Sequence, residues 1–199
     1  MIKSEIFEKS LLNDYYFMRH GESTANIEHI IVSDPEHGIT SYGLTENGVE
    51  QVKKALTEYS RYNHISNIIS SDFLRARDTA LIAAECFGCP LDFSVKLRER
   101  FFGNYNMMSD MNYQRVWEND RNKLPTDSVE SLDMVLTRSM ELLAECEKKL
   151  SGKSILLISH GDIIQITLAY LKGLTPYEHR TIESVKNAEI RKISFPDIL

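Results

Sequence analysis

The sequence predicts an α/β fold with a largely parallel sheet. Three observations carry that expectation. Short strand-like runs alternate with helix-like stretches along the chain. The run at 154–159 (SILLIS) is the clearest buried strand. Three of the strand candidates end in polar clusters, and in open α/β sheets ligands bind at the carboxyl ends of strands.

The elements follow in order. Residues 15–18 (YYFM) form a short, aromatic-rich strand candidate. Residues 45–59 carry Val49, Val52, Leu56 and Tyr59 at helical spacing, with Thr45 as N-cap. Residues 64–71 (HISNIISS) are β-branched and read as a strand. Residues 74–87 read as a helix closed by Gly88 and Pro90. Residues 91–97 read as a short strand. Residues 100–126 read as irregular, and Met107, Met108, Met111 and Trp117 there either line a substrate pocket or pack, with packing favoured. Asp127 and Glu130 read as a capping box for a long helix reaching about residue 150, ahead of Gly152. A helix over 163–171, with Asp162 as its N-cap, stops before Gly173 and Pro176. Residues 190–195 read as a last strand.

Composition bounds the function. A chain of 199 residues favours one domain, taken as 1–199. The hydrophobic share of 42% and charged share of 26% are ordinary for a globular protein with a sizeable core. Acids outnumber Lys and Arg by 29 to 23, a formal net charge of -6, so a general basic field for nucleic acid or an anionic membrane is absent. A local cationic pocket in such a chain would draw small anions. No apolar run approaches the roughly 20 residues of a membrane span. Acids interrupt the apolar N-terminus and no small-residue cleavage site follows, so a cytoplasmic protein is expected. Cys86, Cys89 and Cys146 fit a reducing compartment. Cys86 and Cys89 form a CxxC without the second pair a zinc site needs, and read as small apolar residues near a helix end.

The chemistry-bearing residues sit at the strand ends. The first cluster is Arg19-His20-Gly21, the second Ser70-Ser71-Asp72 with Arg75 and Arg77 beyond it, the third Ser159-His160-Gly161. If these strands are neighbours, two histidines and at least two arginines converge on one sheet edge, and the glycines let the chain turn and a ligand approach. Arginine offers forked donors suited to phosphate. A neutral imidazole can attack phosphorus, and a carboxylic acid must then protonate the leaving oxygen. Glu99, in LRERFFG, is the candidate acid. Arg77 lies two positions after Arg75 and points elsewhere on a helix. His29, His37, His64 and His179 have no motif around them and read as surface or structural residues.

Taken together, RHGEST-N, LTENG-EQ, SSDFLRARDTA, LRERFFG and ISHGD resemble the histidine phosphatase superfamily, in the branch that includes the cofactor-dependent phosphoglycerate mutases. The matches keep the family's order from Arg19 to His160, with weaker ones at 130–138 and Asn187. The resemblance implies a three-layer, phosphoglycerate mutase-like sandwich with a mostly parallel central sheet flanked by helices. It implies His20 as the nucleophile that becomes phosphohistidine, with Arg19 and Arg75 binding phosphate. His160 would hydrogen-bond the phosphate, and Glu99 would act as acid and later as base. Asn26 would contact phosphate and Ser23 would line the pocket, although both residue types also suit turns and caps. No metal or cofactor is implied, and 100–126 falls where the substrate cap lies.

Departures from the family pattern favour hydrolysis. Mutases read like ERHYG, whereas this chain has ERFFG with Phe102 in the tyrosine's place. Arg115 and Arg121 are not adjacent, as the mutase pair is, and the chain is short for a mutase. Common phosphatases have G-x-W-E-G where this chain has GNYNMM. The expectation is a metal-independent phosphomonoesterase acting on a small phosphorylated substrate. A phosphoprotein stays open as substrate, and a homodimer is a family-level expectation. Phosphoglycerate mutase-type transfer is one alternative. A phosphate-pocket binding or regulatory protein with little turnover is another.

Overall fold

A computed structural model describes residues 11–61, 63–126 and 128–193. Its main elements are β1 (Asp14–Arg19), α1 (Glu46–Ser60), β2 (Asn67–Ser70), α2 (Leu74–Phe87), β3 (Leu91–Phe93), α3 (Asn112–Arg121), α4 (Leu132–Lys149), β4 (Ser154–Ser159), α5 (Gly161–Leu171) and β5 (Ile190–Lys192). The strands form one sheet in the order β3-β2-β4-β1-β5. Every pairing is parallel except that of β1 with β5. The fold is α/β, with a mixed five-stranded sheet flanked by helices.

Strand alternation explains the layers. Side chains of β1 and β4 point alternately to opposite faces, and both faces are apolar because helices cover both. On one face Tyr15, Phe17, Ile155 and Leu157 pack with Val135, Leu142 and Leu143 of α4 and Ile163 and Ile166 of α5. On the other, Tyr16, Met18, Leu156 and Ile158 meet Val52 and Leu56 of α1 and Ala76, Ala80 and Ala83 of α2. The three alanines let α2 lie close to the sheet. A third cluster of Ile31, Phe102 and Val116 sits apart from both, beneath the segment after Glu99.

Several boundaries differ from the sequence expectations for local reasons. Thr45 does cap α1, accepting from Gly48 N–H at 2.9 Å, and Gly88 closes α2 in the left-handed region at φ 60°. The predicted strand over 91–97 ends at Phe93, because Ser94 accepts from Lys96 N–H and starts a 3-10 turn at Val95–Leu97. Residues 100–126 are more regular than expected: they contain the 3-10 turn Gly103–Tyr105 and the ten-residue helix α3. The N-cap of α4 is Ser131, which accepts from Met134 N–H, so Glu130 is not the cap. Glu130 instead binds Arg138 and accepts from Phe101 N–H; its expected partner Asp127 lies outside the described residues. Helix α5 begins at Gly161, two residues earlier than expected. Its N-cap is His160, whose extended backbone (φ −124°, ψ 169°) delivers its carbonyl to Ile164 N–H. Asp162 is therefore inside the first turn and free for another role. The last strand is seen over Ile190–Lys192, and residues 194–195 of the expected strand lie outside the described residues.

Two contacts hold the loop after β1 and the segment after Glu99. Gly21 and Gly48 bring the loop against the start of α1: a Cβ on Gly21 would lie 2.6 Å from Gly48 O, and one on Gly48 only 2.0 Å from Glu22 O. Gly21 is thus required by a neighbouring backbone. Further on, Arg100 makes a buried bidentate pair with Asp120 of α3 (2.6 and 2.9 Å) and donates from Nε to Glu130 O. That pair locks α3 to the residue next to Glu99. We expect Gly48→Ala to lower stability by about 1–3 kcal/mol through the backbone clash, against a gain of roughly 1 kcal/mol that helix propensity alone would give. Urea denaturation of the two proteins checks the sign.

Candidate active site

The parallel register places the three polar clusters side by side. Arg19 pairs with Ser159 at the ends of β1 and β4, and His20 N–H donates to Ser159 O at 3.1 Å. His20 and His160 therefore leave the same sheet edge, with ring centroids 5.2 Å apart. The second cluster ends β2, beside β4, and α2 then carries Arg75 to His20.

Hydrogen bonds set the state of each histidine. His20 Nδ1–H donates to Gly21 O at 2.7 Å, which leaves the lone pair on Nε2. Arg75 Nε–H donates to that lone pair at 3.1 Å. Burial, reinforced by the Arg75 and Arg19 guanidiniums, holds the His20 pKa well below the ordinary imidazole value, so the ring is neutral. His160 is also held neutral, first by burial and then by Arg75. Ser71 Oγ accepts from Phe73 N–H and lies 2.9 Å from His160 Nε2. When the Ser71 hydroxyl donates to Nε2, the ring proton sits on Nδ1.

Three buried nitrogens around His20 have no partner among the described residues: Arg19 Nε, Arg75 Nη1 and His160 Nδ1, the last a donor in the Nδ1–H tautomer. The other ends of the two arginines are fixed, Arg19 Nη1 by Val185 O at 2.8 Å and Arg75 Nη2 by Val32 O at 3.0 Å. A buried unpaired donor costs about 1–3 kcal/mol. Three of them around one neutral imidazole, at the N-terminal ends of α2 and α5, form a receptor for a tetrahedral oxyanion.

Glu99 is buried, and burial followed by the Asp162 charge raises its pKa to about 7, against the opposing pull of Arg75. It is a carboxyl that still holds a proton near neutrality. Glu99 and Arg19 line a cavity of about 320 Å³ that also exposes Asn26, Gly161 and Asp162. His20, Arg75 and His160 are at most 4% exposed and lie behind that lining. The structure therefore brings His20, His160, Arg19, Arg75 and Glu99 into one group and puts Asn26 on its cavity side. Ser23 is elsewhere in function: it is fully buried, and its N–H and Oγ both bond Asn26 Oδ1, fixing that side chain. Asn187 reaches the same loop, donating to His20 O.

Sequence reasoning missed the far wall of the cavity. Tyr113 and Trp117 of α3, Asp162 and Gln165 of α5, and Arg180 line it. The assignment of Trp117 to packing is corrected: its indole N–H donates to both Asp162 oxygens, at 3.1 and 3.0 Å. The packing assignment fails for Met108 and Met111 as well, which are 51% and 80% exposed. Of these residues only Asp162, the last residue of the ISHGD motif, and Trp117, for which a pocket role stays open, carry a signal in the sequence. Among the described residues no cluster of three or more His, Cys, Asp or Glu side chains is placed to hold a metal ion, and no helix is long and apolar enough to cross a membrane.

A neutral imidazole backed by paired arginines and a protonated carboxyl, at the carboxyl edge of an α/β sheet, is a site for handling phosphoryl groups. The chain belongs to the histidine phosphatase superfamily (branch 1), whose family model matches residues 15–197. Among curated relatives, the probable phosphoglycerate mutase GpmB of Citrobacter koseri is 29% identical over 191 residues, covering 92% of this chain and 86% of that protein. The same-named protein of an Escherichia coli O1:K1 strain is also 29% identical over the same shares. Among solved structures, mycobacterial glucosyl-3-phosphoglycerate phosphatase in complex with VO3 superposes with a TM-score of 0.78 at 24% identity, over 91% of this chain and 92% of that one. A putative alpha-ribazole-5'-P phosphatase from Escherichia coli K-12 gives 0.74 at 22%, over 92% and 91%. These structural likenesses concern the fold. The protein is a superfamily enzyme of the phosphatase or mutase kind.

The raised Glu99 pKa has a consequence for stability. Between its unfolded value of 4.5 and about 7, the native state keeps a proton that the unfolded chain has released. Stability therefore falls as pH rises through that window. Glu99→Gln is expected to flatten that part of the pH–stability curve, read from urea midpoints at a series of pH values.

Proposed function

We propose that the protein is a metal-independent phosphomonoesterase that works through a phosphohistidine on His20. The observation that carries this reading is the set of three unpartnered buried donors, Arg19 Nε, Arg75 Nη1 and His160 Nδ1, around a neutral His20 whose Nε2 holds the lone pair. The donors bind the non-bridging oxygens of the phosphoryl group and stabilise their charge as the transition state forms. His20 Nε2 attacks phosphorus, and the P–N bond forms as the ester P–O bond breaks. Glu99 gives its proton to the departing alkoxide, so the first product leaves as a neutral alcohol. Water then attacks the phosphohistidine and the Glu99 carboxylate takes its proton. The P–N bond breaks, phosphate departs and His20 is again neutral.

The cavity volume suits a small phosphorylated molecule better than a folded phosphoprotein. Asn26 and the residues of 100–126, which cover the cavity through Tyr113 and Trp117, are the parts of the chain that would meet the leaving group. Three free cysteines accord with a cytoplasmic enzyme. The names of the GpmB relatives favour a second reading, mutase-type transfer within phosphoglycerate. Incubation with 3-phosphoglycerate separates the two: phosphate release supports the hydrolase, and 2-phosphoglycerate without phosphate supports the mutase.

His20→Ala is expected to abolish both phosphate release from p-nitrophenyl phosphate and acid-labile labelling by a phosphodonor, while EDTA leaves the unmodified enzyme active. Residual full activity in the variant would overturn the mechanism. With alkyl phosphomonoesters, Glu99→Gln should cost about 10²–10⁴-fold in kcat, and much less with p-nitrophenyl phosphate, whose leaving group needs little protonation. Steady-state rates on the two substrates make the comparison.

A further inference from the structure

Asp162 stands inside the cavity with no part in the mechanism above. It is 4% exposed, and the two guanidiniums that pair with it do so only at long range. Trp117 holds both its oxygens from one side. Arg100 and Arg180 approach only to 3.7 and 3.8 Å, and each is committed elsewhere. Arg100 makes its bidentate bond to Asp120. Arg180 bonds Gln165 and lies over the Trp117 ring, 3.7 Å from its centroid. Trp117 itself is stacked on Tyr113, with ring centroids 5.2 Å apart. The result is a carboxylate fixed in orientation by an indole N–H that brings no charge to cancel it.

That carboxylate shares the cavity lining with Glu99. We propose that Asp162 is a positioning residue whose fixed negative charge keeps the proton on Glu99 until the leaving group needs it. The inference rests on the reading of Glu99 as proton donor. The groups facing Glu99 are Arg19 from β1, Arg75 from α2, Tyr113 from α3 and Asp162 from α5, besides the neighbouring Arg100 N–H, which donates to Glu99 Oε1. Both arginines and the N–H favour the carboxylate form. Burial and Asp162 favour the acid, and Asp162 supplies the charge among them. Without it, burial alone would oppose the two arginines that favour the carboxylate form. Buried His179 adds no charge to balance Asp162, because burial holds it toward the neutral form.

Asp162→Asn removes the charge and keeps an oxygen to accept from Trp117. The basic limb of the kcat/KM profile for an alkyl phosphomonoester is expected to move about one pH unit lower. Above the limb the variant should be roughly tenfold slower, with the two curves converging toward acid pH. Arg100 and Arg180, no longer balanced, act in the same direction. Asp162→Glu should restore the limb, and p-nitrophenyl phosphate should show little of the shift. A limb that does not move, or an equal loss at every pH, overturns the proposal; the second result would give Asp162 a structural or direct proton-donating role. If Asp162→Asn does not fold, Asp162→Ser read by 13C NMR titration of the Glu99 carboxyl gives the same decision. Glu99→Gln separates the layers: if it does not slow alkyl ester hydrolysis, the reading of Glu99 fails. If it does while Asp162→Asn leaves the limb in place, only the role of Asp162 fails.

Discussion

The parallel pairing of β1 with β4 is the constraint on which the site depends. The register runs from Asp14 opposite Ser154 to Arg19 opposite Ser159, so both strands end level. His20 and His160 then leave the sheet together, and His20 N–H continues the ladder by one more bond to Ser159 O. A slip of one residue would send the apolar side chains of β1 to the wrong faces of two well-packed layers. The histidine pairing is consequently protected by the whole core, by Tyr15 and Phe17 on one side and Tyr16 and Met18 on the other. The geometry of the histidine pair is inherited from hydrophobic packing some distance from it.

Placing two arginines and two histidines in a buried pocket creates a second constraint. Arg19 and Arg75 cannot both be satisfied by the protein without losing their use: Arg19 is tied through Nη1, and Arg75 through Nη2 and Nε, which leaves Arg19 Nε and Arg75 Nη1 open. Neutral histidines lessen the repulsion. The backbone carbonyls of Val32 and Val185 hold the guanidiniums in place with dipoles rather than charges. The pocket thus keeps a positive field for an anion while each side chain stays oriented. The segment after Glu99 completes the arrangement through the Arg100–Asp120 pair and its own small core.

The legible parts of the molecule were those whose cause is local. The RHG and SHG clusters sit at strand ends, and the Thr45 and Gly88 caps act within a few residues of themselves. Strand β3 was overextended because one hydroxyl, that of Ser94, turns an apolar run into a 3-10 turn. Helix α3 was hidden because NYQRVWENDR carries few apolar residues. Val116, its buried anchor, packs on Ile31 and Phe102 from elsewhere in the chain. Asp162 was misplaced because aspartate is a strong N-cap former, whereas His160 already had the extended backbone a cap requires. The bond from Trp117 to Asp162 spans 45 residues, and no pattern in the intervening sequence announces it.

The same bond has an optical consequence. Trp117 is the chain's one tryptophan. It lies between the Tyr113 ring and the Arg180 guanidinium, with its N–H on a carboxylate and its edge in the cavity wall. Indole emission responds to nearby charge and to water, and here both belong to the site. The protein carries a single indole whose emission colour and intensity are set by the field across this cavity, so occupancy and protonation there can be followed without a label.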